Sequence, residues 1–130
     1  MDQRLRKNEK LKSKKLIDQL FLKGQQVKKF PLKLVYLPLD SPQETTCKSS
    51  FSVPKKLIKT AVGRNRIKRL MRESFRKNKY LVESPQQSKF AFMFIYLSRE
   101  KISSEQMTKT MILLLEKFNE KEKSHEKSSQ

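Results

Sequence analysis

Between residues 55 and 79 the chain carries Lys55, Lys56, Lys59, Arg64, Arg66, Lys68, Arg69, Arg72, Arg76, Lys77 and Lys79, and only Glu73 opposes them. Arginine guanidinium groups hold phosphate oxygens in a bidentate fork and stack on bases. Asn65, set between Arg64 and Arg66, can both donate and accept hydrogen bonds. The chemistry these residues suit is therefore the gripping of phosphates. Hydrolysis by the protein itself would need a general base, or carboxylates clustered around metal ions. The acids Asp18, Asp40, Glu73, Glu83 and Glu100 are scattered, with no pair at a suitable spacing. The single histidine, His125, lies in a polar C-terminal stretch, and the single cysteine, Cys47, has neither a disulfide partner nor metal-site spacing. No protein-only active site, no catalytic residue and no bound metal or other cofactor are expected.

The whole chain repeats this bias. Lys and Arg number 31 against 13 for Asp and Glu, a formal net charge of +18 over 130 residues. A field of this size concentrates polyanions: nucleic acid, anionic membrane or acidic protein. Placing residues 60–77 on a helical wheel at ~100° per residue gathers Ile67, Leu70, Met71, Ser74 and Phe75 into a sector of roughly 140°. The other side is filled by Lys68, Arg72, Asn65, Arg76, Arg69, Arg66 and Lys77, with Arg64 at the border. A solvated helix face normally mixes signs, because i,i+4 pairs of opposite charge support it. Cations stacked on cations favour an external anion. A lipid surface is the weaker choice, since it needs the apolar face to be free and flanking strands compete for that face. No run approaches the ~20 apolar residues of a membrane span, and no apolar segment follows the basic N-terminus as a secretory signal requires. A lone cysteine suits a reducing compartment, here the cytoplasm.

The elements that must position this helix are legible in outline. Residues 1–12 read as a basic flexible arm. Ser13 can cap a short helix carrying Ile17, Leu20 and Phe21, with Gly24 as its stop. Residues 32–37 and 50–53 read as strands, separated by a loop rich in Pro, Ser and Thr, and a hairpin between them is predicted. In the first, Leu32, Leu34 and Tyr36 share a face. Residues 90–97 form a continuous apolar run bounded by a turn, the pattern of an internal strand covered on both faces. Its Phe90, Phe92, Phe94 and Tyr96 share one face. Aromatic rows of this kind stack bases in some RNA-binding sheets, but burial in a core is the favoured reading. Ser103 and Gln106 resemble a capping box opening a last helix along Met107, Met111, Leu114, Leu115 and Phe118. Residues 119–130 lack an apolar anchor and are expected to be disordered. One domain over residues 13–118, an α+β sandwich, follows.

The stretch Ala61-Val62-Gly63-Arg64-Asn65-Arg66-Ile67-Lys68-Arg69-Leu70-Met71-Arg72-Glu73 resembles the RNR signature of the bacterial ribonuclease P protein component. Phe51-Ser52-Val53-Pro54-Lys55-Lys56 resembles that family's strand and Lys-Lys lead-in, and residues 6–11 with Phe21 and Gly24 resemble its N-terminal helix region. The resemblance implies an α-β-β-β-α-β-α sandwich, with one strand more than the residues alone reveal, and a left-handed crossover around the RNR helix. It implies a protein subunit that binds a large catalytic RNA and the 5′ leader of precursor tRNA, assisting endonucleolytic leader removal, with the chemistry done by the RNA and its magnesium. By the same resemblance Lys55, Lys56, Arg64, Asn65, Arg66, Lys68, Arg69, Arg72 and Arg76 face the catalytic RNA. Ile17, Phe21 and Tyr36 would line a leader cleft between the first helix and the sheet, and the chain would be a monomer in the complex. Composition alone fits equally a ribosomal or other structural-RNA protein; the RNR segment separates the two.

Overall fold

The structure is a computed structural model that describes residues 14–38, 48–82 and 90–128, with the backbone alone for 14–16, 48 and 123–128. The arm and the single cysteine fall outside the described residues. Helix α1 spans Lys14–Lys23, β1 Gln25–Lys29, β2 Leu32–Pro38, β3 Lys48–Ser52, α2 Ala61–Asn78, β4 Phe90–Tyr96 and α3 Ser104–Ser128, with one 3-10 turn at Lys79–Leu81 after α2. The α-β-β-β-α-β-α order is the expected one.

The sheet runs β1-β2-β4-β3. The hairpin predicted between the strands at 32–37 and 50–53 does not exist. The hairpin partner of β2 is β1, in the register Gln25↔Tyr36 to Lys29↔Leu32, through a turn at Phe30-Pro31 whose peptide is cis. β3 lies at the far edge, parallel to β4. β1 escapes sequence reading because Gln-Gln-Val-Lys-Lys has one apolar residue and so no alternation. β3 escapes correct pairing because two antiparallel-looking strands around a loop carry no sign of the strand that enters between them. β2 and β3 both border β4, and α2 forms the crossover between β3 and β4.

The central strand β4 is buried on both sides, as its unbroken apolar run requires. Phe90, Phe92, Phe94 and Tyr96 face α2 and α3; with Leu32, Leu34 and Tyr36 of β2 they meet Ile67, Met71 and Phe75 of α2 and Met107, Met111, Leu114, Leu115 and Phe118 of α3. Phe118 presents its ring edge-on to Tyr36, Phe90 and Phe92, with centroids 4.7, 5.1 and 5.2 Å away. Such edge-to-face pairs favour one packing over its alternatives. Phe92 and Phe94 are fully buried, so no base stacks on this row. Ala91 and Met93 face the other way with Val35, under Leu20 of α1, and Ile17, Leu37 and Ile95 pack at their margin. The molecule is thus three layers, α1 over the sheet over α2 and α3.

Helix α3 does not end at Phe118. It runs to Ser128, nearly three turns into the stretch expected to be disordered. Around the start of that stretch the anchors are polar. Asn119 donates to the Leu81 carbonyl at 2.8 Å, while the Lys117 and Lys121 ammonium groups donate to the Lys28 and Gln26 carbonyls, both at 2.9 Å, on the outer edge of β1. An apolar pattern cannot announce such contacts.

Candidate RNA interface

Helix α2 spans Ala61–Asn78, close to the stretch 60–77 placed on the wheel. Thr60 is its N-cap, in extended backbone conformation, and its hydroxyl accepts from the Gly63 N–H at 3.1 Å. Ile67, Met71, Ser74, Phe75 and Asn78 are buried, and Leu70 packs at the core margin. The Asn78 amide donates to the Ser74 carbonyl at 2.8 Å, so this buried polar pair is satisfied within the helix. With that stripe fixed against the core, the 3.6-residue period turns the cations outward. Asn65, Arg66, Arg69, Arg72 and Lys77 are exposed, Lys68 is half-buried at the border, and Lys55 and Lys56 are exposed in the turn that leads in from Pro54.

The cations are not equivalent. The Arg64 guanidinium is half-buried and donates to the Ile58 and Lys59 carbonyls, both at 3.0 Å, binding the lead-in turn to the helix. Arg66 reaches across to the Ile102 carbonyl at 3.3 Å. Arg72 lies over the Phe51 ring, 5.8 Å from its centre. Arg76 pairs with Glu73 at 2.6 Å; that hydrogen bond, ahead of the general pull of neighbouring cations, holds the Glu73 carboxyl below the usual carboxylate range. The one acid on the helix is thereby matched to one cation. Lys55, Lys56, Lys68, Arg69 and Lys77 have no acidic partner among the described residues.

The fold adds cations that sequence reading missed. Arg99 and Lys101, in the loop from β4 to α3, come beside the first turn of α2 and share with Lys59 and Arg66 the wall of a cavity of about 220 Å³. Their signal in the sequence is only a short charged connection, Ser98-Arg99-Glu100-Lys101; the crossover is what carries it to the helix.

The cleft residues divide. Ile17 packs at the margin of the smaller core under α1, and Phe21, 62% exposed, is available on the outer side of that helix. Tyr36 does not line this face. It is 1% exposed and lies on the opposite side of the sheet, against Phe118 and Phe90. Burial first, then the neighbouring Glu122 carboxylate, raises its phenol well above the ordinary range. The buried β2 residue under α1 is Val35, with Leu37 at its margin. Side chains alternate along a strand, so an assignment one residue off lands on the wrong face; Leu32 and Leu34, which share the Tyr36 face, already gave its parity.

Among the described residues no helix is long and apolar enough to cross a membrane. A family model described as Ribonuclease P matches residues 5–119. The chain is 42% identical over 78 residues to the ribonuclease P protein component of Chlorobium phaeobacteroides, covering 58% of this chain and 53% of that relative. It is 34% identical over 96 residues to that of Porphyromonas gingivalis, covering 70% of each. The match thus spans about half the length of the first relative and more of the second. Among solved structures, the RNase P protein of Staphylococcus aureus superposes with a TM-score of 0.68 at 21% identity, covering 83% of this chain and 93% of that one. At that identity the likeness is one of fold.

Proposed function

Because the chain belongs to the ribonuclease P family, we propose that it is the protein subunit of a ribonucleoprotein endonuclease, binding a catalytic RNA through α2 and assisting removal of the 5′ leader from precursor tRNA. One observation carries this reading: the outward half of α2 is a field of cations in which Glu73, already paired with Arg76, is the only acid. Two RNAs that must meet repel each other, and a +18 protein between them lowers that cost, in the way that counterions do. The bond-breaking step is assigned to the RNA, with the magnesium it holds supplying the metal chemistry. The protein's part is to bind and to orient. Lys55, Lys56, Asn65, Lys68, Arg69 and Arg72 take phosphates, while Arg64 and Arg66, tied to backbone carbonyls, hold the lead-in turn and the β4–α3 loop in place beside them.

On the other face, Ile17 and Phe21 offer an apolar edge against which leader bases can lie, with Val35 beneath. The chain acts as a monomer in a cytoplasmic complex. Reconstitution tests the proposal. The purified protein alone should leave precursor tRNA uncut; with the catalytic RNA it should accelerate leader removal most at low magnesium. Equal rates with and without protein across a magnesium titration would overturn the assignment, as would recovery of ribosomal RNA in place of a catalytic RNA on purification.

A further inference from the structure

At the opposite end of the β4–α3 loop from α2 lies a second cavity, of about 380 Å³, between the β1–β2 turn and the first turns of α3. Its outer wall is Phe30, 65% exposed. An aromatic ring left in water at a turn forfeits the burial that would ordinarily stabilise it. The turn that presents it is held in place, since the Leu97 N–H donates to the Pro31 carbonyl at 2.7 Å. The same cavity is lined by Lys101 and Lys109, with Gln106 and Thr110 as hydrogen-bonding groups. Among the described residues Lys109 is engaged by Glu105 alone, at 3.5 Å, with both side chains largely in solvent. Among the described residues Glu100 is the one acid on the wall; its backbone carbonyl accepts from the Tyr96 hydroxyl at 2.6 Å, which holds the loop in place. Lys101 lines this cavity and also the one beside α2, so Lys59, Arg66, Arg99, Lys101 and Lys109 form a cationic track from the helix to Phe30.

A ring to stack on, cations spaced along an approach and an amide beside them suit one ligand class, an unpaired nucleotide continuous with an RNA backbone. We infer that the Phe30 cavity is a nucleotide-binding site, in which one unstacked base lies on Phe30 while its flanking phosphates are held by Lys101 and Lys109. It rests on the chain's binding RNA, and it adds a contact on neither the outward face of α2 nor the face under α1. The nucleotide comes from the catalytic RNA or from the precursor, and the two are separable by experiment.

The chain contains no tryptophan, so Phe30→Trp places a single indole reporter at the site. Full-length protein carrying it is titrated first with catalytic RNA and then with precursor tRNA. Quenching at the first addition assigns the base to the catalytic RNA, and quenching only at the second assigns it to the precursor; either supports the site. In the quenching arm Phe30→Ala should weaken binding about tenfold, the loss of one stacked base, with the salt slope unchanged. Lys101→Ala should shallow that slope by about one. Emission that stays at the free-protein level at saturating concentrations of both RNAs, with binding intact by gel shift, would overturn the site. Failure to bind either RNA would overturn the subunit assignment itself.

Discussion

Arg64 and Arg69 stand five residues apart on one helix, and the structure gives their guanidinium groups different roles. Arg69 is exposed with no partner among the described residues, whereas Arg64 is spent on two carbonyls of its own lead-in turn. Arg69→Ala should therefore lower RNA affinity and reduce the slope of log K against log salt by about one, with no change in urea stability. Arg64→Ala should also lower stability, by about 1 kcal/mol, the usual net worth of such hydrogen bonds. Lysine at 64 should not restore it, because a point charge cannot reproduce the fork. Equal urea midpoints for the two alanine variants would refute the distinction. The sequence marks both residues as cations and cannot tell them apart, since what separates them is the path of residues 58–59. Tyr36 teaches the complementary lesson: strand parity was readable, and it outranks resemblance in deciding which face a side chain takes.

At the scale of elements, α2 can present its cations outward as a candidate interface because its inner stripe is fixed. Phe75 meets Phe94 at 4.9 Å and Phe92 at 6.1 Å between ring centres. Phe75→Ala should cost about 3–5 kcal/mol, the range for a buried aromatic, and Thr60→Ala about 1 kcal/mol through loss of the cap. Urea unfolding measures both, and a near-neutral Phe75→Ala would contradict the packing described. The legible elements were those with strong periodicity. α2, β4 and the start of α3 each carry an apolar row or a capping residue, and the Ser103 hydroxyl does accept from the Gln106 N–H at 3.1 Å. β1 has a single apolar residue, and α3 around and past Phe118 is held by Asn119 and lysines, so neither left a hydrophobic signature. The parallel pairing of β3 with β4 depends on contacts distant in sequence, which no local pattern encodes. For the interface, the helix was readable and the loop cations Arg99 and Lys101 were not.

For the whole molecule, charge and fold pull against each other. A chain at +18 repels itself when compact, so added salt should raise the melting temperature of the free protein. Catalytic RNA should raise it further by mass action, and that second gain should shrink as salt rises. A melting temperature indifferent to both would mean that the cations are not in tension. The same charge opposes association between free copies, and a bound polyanion would cancel it. At that moment the guard is geometric: two side chains from the last helix stand on the outer carbonyls of β1, where a neighbour's strand would have to dock. Occupancy of that rim does not depend on net charge, so it would go on blocking edge-to-edge strand pairing after bound anions had neutralised the repulsion.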